Sequence, residues 1–167
     1  MVKSKNMCFI VAILISLVFT FISCDEEKDE WRSGKITYPA TIPVPPSGIV
    51  SYTCDIGYEW IKLDGSIKNS HLDDFRYVRG GYIDIYGGPY IHTLTFMLEN
   101  SNVVLPVDVF DNEGGLLRDS EPQVREFLNA IVELIRRNNY ARVYVDGNAN
   151  GQIEIDFHIY LNAYVIC

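Results

Sequence analysis

The chain has 167 residues, with 14 Lys and Arg against 22 Asp and Glu, for a formal net charge of −8. An acidic chain without a basic stripe argues against nucleic-acid partners, whose binding is led by Lys and Arg contacts to phosphate. Beyond its N-terminal segments about 120 residues remain, enough for one hydrophobic core and too few for two comfortable domains.

Lys3 and Lys5 open the chain as a short positive segment, and Met7 to Ile22 is apolar except for Ser16 and Thr20. As a helix this run would span roughly 24 Å, short of the ~30 Å hydrocarbon core, so a signal-peptide apolar region fits better than an uncleaved anchor. It ends Phe21-Ile22-Ser23-Cys24, with bulky Phe21 where an ordinary secretory cleavage site takes a small residue. The ending resembles a bacterial lipobox, with Phe21 standing where Leu is usual. The run Asp25 to Glu30 is similar to the acidic stretch of exported Bacteroidota lipoproteins.

This resemblance covers residues 1–30. It implies a signal peptide over 1–23, a palmitate-type lipid on Cys24, and a membrane partner reached through that lipid. The location it implies is the bacterial cell envelope at the outer membrane, on the periplasmic face or the cell surface. In proteobacterial sorting an Asp directly after the cysteine instead implies retention at the inner membrane, so the leaflet stays open. Removing the leader leaves 12 basic against 22 acidic side chains, a net charge of −10. Cys8 leaves with the leader and Cys24 is lipidated, so Cys54 and Cys167 remain. They are read either as free thiols or as one disulfide, which would contribute about 4–5 kcal/mol on the loop-entropy account.

Residues 24–47 read as an acidic, then Pro-rich tether, with Pro39, Pro43, Pro45 and Pro46 favouring extended geometry. Within it Ile36-Thr37-Tyr38 could lie on the domain as an edge strand ended by Pro39. Residues 48–167 form the single domain, and period-2 alternation dominates it. Ile49–Cys54 and Tyr58–Leu63 read as short strands, 64–75 as a polar loop, and Tyr77–Tyr86 as a strand broken at Gly80-Gly81. Turns at Gly87-Gly88-Pro89 and Asn100-Ser101-Asn102 set off Tyr90–Glu99 and Val103–Phe110, a pattern that predicts an antiparallel meander.

Ser120 with Gln123 has capping-box spacing, and Val124, Phe127, Leu128, Ile131, Leu134 and Ile135 recur at helical period. Arg136 and Arg137 suit the negative end of the dipole, and Asn138-Asn139 can end the helix. Ile153 to Val165 alternates without a break, and its length demands a bulge or bend. Arg142–Val145 should pair with its start through the Asp146–Gly151 turn. The fold class expected is α+β: a two-layer domain with an antiparallel sheet of six or seven strands and one helix on one face.

One helix covers one sheet face and leaves the other open. Parity places Thr93, Thr95, Tyr58, Trp60, Tyr82, Asp84, Tyr86 and Tyr160 on that open face. Rings beside hydroxyls suit sugars, whose apolar faces stack while their hydroxyls hydrogen-bond. The same residue types are also good strand formers.

Asp146, Asn148, Asn150 and Glu154 match the early ligand positions of a calcium loop, but Phe157 stands where the closing acid belongs. Asn and Gly are equally what a hairpin turn requires. Glu154, Asp156 and His158 project from one strand face, where adjacent members could share a metal completed by other strands, and His71 with Asp73 and Asp74 offers a catalytic pair on a loop. No nucleophile elbow, phosphate loop, HExxH or CxxC accompanies them. The sequence therefore predicts a non-catalytic, membrane-anchored binding module for a glycan or protein, without a required cofactor. An accessory subunit of an envelope complex is the alternative, and a hydrolase the third.

Overall fold

The computed structural model describes residues 30–65, 71–87, 91–107 and 114–166. Among these residues the chain forms strands β1 (Glu30–Ile42), β2 (Ile49–Gly57), β3 (Ile61–Leu63), β4 (His71–Tyr86), β5 (Ile91–Leu98), β6 (Val104–Val107) and β7 (Gly114–Arg118). Helix α1 (Pro122–Asn138) and strands β8 (Tyr140–Ala149) and β9 (Ile153–Ile166) follow, and Tyr58–Trp60 makes a 3-10 turn before β3. The class is α+β, mostly antiparallel sheet with one helix. The expected single sheet of six or seven strands is corrected to two sheets, with nine strands among the described residues.

Sheet A has the order β3-β1-β9-β4-β7 and sheet B the order β2-β8-β5-β6, with every pairing antiparallel. The meander therefore holds only for the β5–β6 hairpin, where Leu94 lies opposite Val107. Strand β4 belongs to the other sheet. Likewise β8 does not pair with β9: it pairs with β2 and β5, and the 150–152 turn carries the chain from sheet B to sheet A. Alternation dictates which side of a strand is apolar, but it is blind to which layer the strand joins.

Within the 24–47 stretch read as tether, Glu30–Ile42 forms a full strand. All thirteen residues of β1 pair with β9, from Glu30 opposite Val165 to Ile42 opposite Ile153. Ile36, Ala40 and Ile42 are buried, so β1 has an apolar face of its own. Pro39 sits within the strand, opposite Asp156. Strand β3 pairs only with Gly34–Ile36, so past Ile36 the far side of β1 is an edge among the described residues, which tolerates a proline. The polar loop expected over 64–75 is shorter, since β4 begins at His71.

The inner faces of the two sheets and the apolar side of α1 share one core. Phe96 of sheet B lies 6.0 Å from Phe157 of sheet A and 6.1 Å from Phe127 of the helix, measured between ring centroids. All three rings are fully buried, and truncating one to alanine in such a core typically costs about 3–5 kcal/mol. Val124, Phe127, Leu128, Ile131, Val132 and Ile135 form the buried side of α1, the 3.6-residue period of the sequence. Its first turn departs from the capping box: Glu121 is the N-cap, no side chain caps it, and Pro122 opens the helix. Asn139 ends it in the left-handed conformation, donating its N–H to the Ile135 carbonyl.

Strand β9 is uniformly alternating, and the irregularity its length requires falls on its neighbour. Register shifts in β4 lie between Leu72 and Asp74 and between Val78 and Tyr82. The second inserts Arg79, Gly80 and Gly81 where β9 offers a single residue between Tyr160 and His158. Gly80 there has φ +113°, and a side chain on Gly81 would collide with Leu128 of the helix and the His158 carbonyl. Glycine is required at both positions, for conformation at the first and for space at the second.

Candidate binding face on sheet A

The outer face of sheet A is built by three neighbouring strands whose inward residues anchor it in the core. Along β9, Glu154, Asp156, His158, Tyr160, Asn162 and Tyr164 alternate with buried residues and point outward. Register places Thr37 and Tyr82 on either side of His158, Lys35 and Val78 beside Tyr160, and Trp31 beside Tyr164. The rings form stations along the strand. Trp31 and Tyr164 lie 5.4 Å apart, with the Arg76 guanidinium 4.1 Å above the indole. Tyr82 stacks on His158 at 4.4 Å and 21°. Between these two pairs Tyr160 stands 39% exposed.

Two grooves adjoin at Tyr160. One, of about 460 Å³, is lined by residues that include Ser33, Lys35, Asp64, Arg79, Gly80 and Asn162. The other, of about 290 Å³, lies between Lys35, Thr37, Tyr82 and His158. Tyr160 and Lys35 line both, and the larger groove is within the size range of small-molecule sites. The β4 bulge shapes it, because Val78, Arg79 and Gly80 form its wall.

Asp119, immediately before the helix, holds that bulge. Its carboxylate accepts from the Tyr77 hydroxyl at 2.7 Å and from the Gly80 N–H at 2.6 Å, while its own N–H donates to the Gly81 carbonyl. Arg125 closes the unit by donating twice to the Asp119 carbonyl. Burial alone would raise the Asp119 carboxyl, but the Gly80 and Tyr77 donors, with Arg125 and Arg79, outweigh it and hold the group below the ordinary range. Burial and the same hydrogen bond push the Tyr77 hydroxyl strongly upward.

Charge divides the face. Toward the start of β9 lie Glu154, Asp156 and Asp84, the last two directly opposed in register. The Tyr86 hydroxyl donates to Asp84 at 2.7 Å, and that bond raises its pKa to about 12. Toward the other end lie Lys35, Arg76 and Arg79, with Lys62 of β3 directly opposite Lys35.

Of the residues expected on one open face, Tyr82, Tyr86 and Tyr160 do share the outer side of sheet A. Thr93 and Thr95 lie on the outer side of sheet B, so there are two open faces rather than one. Tyr58 and Trp60 are on neither. They sit in the 3-10 turn, where Trp60 packs 5.0 Å from Tyr38 on the inner side of β1, and Tyr58 lies 6.2 Å from buried Phe75. Burial raises the Tyr58 pKa. A turn of this kind breaks the two-residue period, so parity could not place them. Trp31, Tyr164 and Arg76 were missed as one cluster. The signal lay in Trp31, Ser33, Lys35 and Thr37 alternating against Gly34, Ile36 and Tyr38, within what reads as tether.

The calcium positions are not gathered into one loop. Asp146 and Asn148 continue β8, opposite Thr95 and Thr93 of β5, whereas Glu154 is on β9 in the other sheet. Asn148 contacts the Thr93 hydroxyl, Asn150 contacts the His92 ring at 3.0 Å, and Glu154 accepts from Gln152. Among the described residues no group of three or more His, Cys, Asp and Glu could hold a metal. The residues expected on a catalytic loop lie instead on a strand, where His71 opens β4 and Asp74 pairs with Arg136. His158, which shares its strand face with Glu154 and Asp156, is stacked under Tyr82.

Cys54 is a fully buried thiol on β2, and burial, with Asp55 beside it, pushes its pKa to about 12. Cys167 and Cys24 lie outside the described residues. Among those residues no helix is long and apolar enough to cross a membrane. Comparison with protein-family models, with curated proteins and with solved structures finds no match.

Proposed function

We propose that this protein is a lipid-anchored envelope protein, attached through Cys24 to the outer membrane, that binds a glycan on the outer face of sheet A without catalysis. One observation carries the reading: Tyr160 stands half-exposed between two adjoining grooves, with a tilted ring pair on one side and a stacked pair on the other along the same strand. An exposed ring flanked by hydroxyl, amide and charged groups offers a sugar both the stacking surface and the hydrogen bonds it needs. The polar residues come from β1, β4 and β9, all secured through the core, so the platform is preorganised rather than loop-borne.

The test is retention of the full chain, held in detergent, on immobilised oligosaccharides, compared with Tyr160→Ala and Tyr82→Ala. Retention by the parent and its loss in Tyr160→Ala is the expected result. No retention, or retention unchanged in both variants, rejects the reading. A protein that co-purifies stoichiometrically and is lost in the same variants supports the alternative of an accessory subunit docking on this face.

A further inference from the structure

Resting on the glycan reading, we infer that the grooves beside Tyr160 take an acidic sugar, a uronic acid or another carboxylate-bearing unit, with Lys35 and Arg79 as its carboxylate partners. Three observations converge on these two cations. Lys35 lines both grooves, and Arg79 is carried into the larger one at the tip of the β4 bulge. Neither makes a close ion pair with a described residue, whereas Arg32, Arg136, Arg137 and Arg142 do, although the charge of Arg79 reaches Asp119 at longer range. Lys35 also faces Lys62 directly across the β1–β3 pairing, a like-charge opposition that an anion lying over it would relieve.

The remainder of the face sharpens the choice. In a chain of net charge −8, this cationic patch stands against the overall field, and among the described residues Asp64 is the one acidic residue lining the larger groove. Apart from Asp64 and Asp74, the carboxylates of the face lie at its other end, around Asp84 and Asp156. An acidic sugar stacked on Tyr160 would put its ring on the phenol and its carboxylate within the patch. At the opposite end the same carboxylate would meet like charge. The face thus selects both the ligand's charge and the direction in which the ligand lies.

Equilibrium binding of the full chain in detergent to an oligogalacturonate and to a neutral galacto-oligosaccharide of equal length separates the possibilities. We expect at least tenfold tighter binding of the uronate, weakening as salt rises. Lys35→Gln with Arg79→Gln should abolish that preference, so that the uronate binds no tighter than the neutral sugar, and Tyr160→Ala should weaken both. Lys35 and Arg79 are exposed, so the double variant keeps the fold, which an unchanged melting curve verifies. Equal binding of the two sugars, or a preference that survives the double substitution, overturns the acidic-sugar inference and leaves the glycan reading standing. Binding of neither sugar, with no glycan retained on the immobilised panel, rejects both. A single-stranded oligonucleotide binding tighter than the uronate overturns the inference in favour of a phosphate ligand.

Discussion

The hydroxyl of Tyr77 donates to the carboxylate of Asp119 across 2.7 Å, joining residues 42 apart in the chain. That bond fixes the bulge of β4 to the start of α1, and the bulge in turn walls the groove beside Tyr160. Asp119 is therefore a positioning residue for the face, although it lies outside it. Asp119→Ala removes the acceptor of two donors, and we expect a loss of about 1–2 kcal/mol, moderated because Gly80 is open to water. Denaturant titration measures the loss, and a parallel weakening of sugar retention would show the groove wall shifting.

The same residue predicts a pH effect of definite sign. Its carboxyl is depressed in the folded state, so in the acid range the unfolded chain binds more protons than the folded one. Its stabilising contribution is complete above the unfolded carboxyl value of about 3.9 and fades as pH falls through the lower folded value. Asp119→Asn should flatten that part of the stability profile and leave the profile above pH 5 unaltered in shape. An identical acid limb in the variant would contradict the assignment.

Trp60 and Tyr160 should respond in opposite ways. Trp60 packs on Tyr38 and the core, so Trp60→Ala should lower stability by about 2–3 kcal/mol with little direct effect on ligand retention. Tyr160→Ala, at an exposed position, should change stability by less than about 1 kcal/mol and abolish retention. Thermal melts and binding on the same samples check the pair.

Cys54 should be inert in the native protein. With its thiol buried and its pKa near 12, maleimide at pH 8 should leave it unmodified, and labelling should appear after denaturation without reductant. Peptide mapping locates the label. A Cys54 that labels only after reduction would instead establish a bridge to Cys167.

Two further expectations concern the membrane and calcium. Cys24→Ala should release the protein from the membrane fraction; continued membrane association would identify the leader as an uncleaved anchor. Millimolar calcium should leave the melting temperature unchanged, because Asp146 and Asn148 belong to sheet B and Glu154 to sheet A.

Much of the secondary structure was legible because burial has a period. Ile153–Val165 and Val124–Ile135 announce a strand and a helix through spacing alone, and parity placed Tyr82, Tyr86 and Tyr160 together. Layer assignment was not legible, since Leu94 and Ile83 obey the same alternation in different sheets. Trp31 was hidden because charges before it and prolines after it read as spacer. Asp119 was hidden for another reason: its partners are distant in sequence, and no local pattern foretells a contact closed by the fold.

The early start of β1 has a consequence for geography. With a lipid on Cys24 and strand pairing from Glu30, the intervening chain can extend at most about 20 Å. The domain would then ride close to the bilayer like a short-moored buoy, with Trp31 near the mooring. Its sugars would have to come to the membrane surface to be caught. Long polymers that graze that surface, rather than fragments free in the surrounding fluid, are the ligands such a mooring favours.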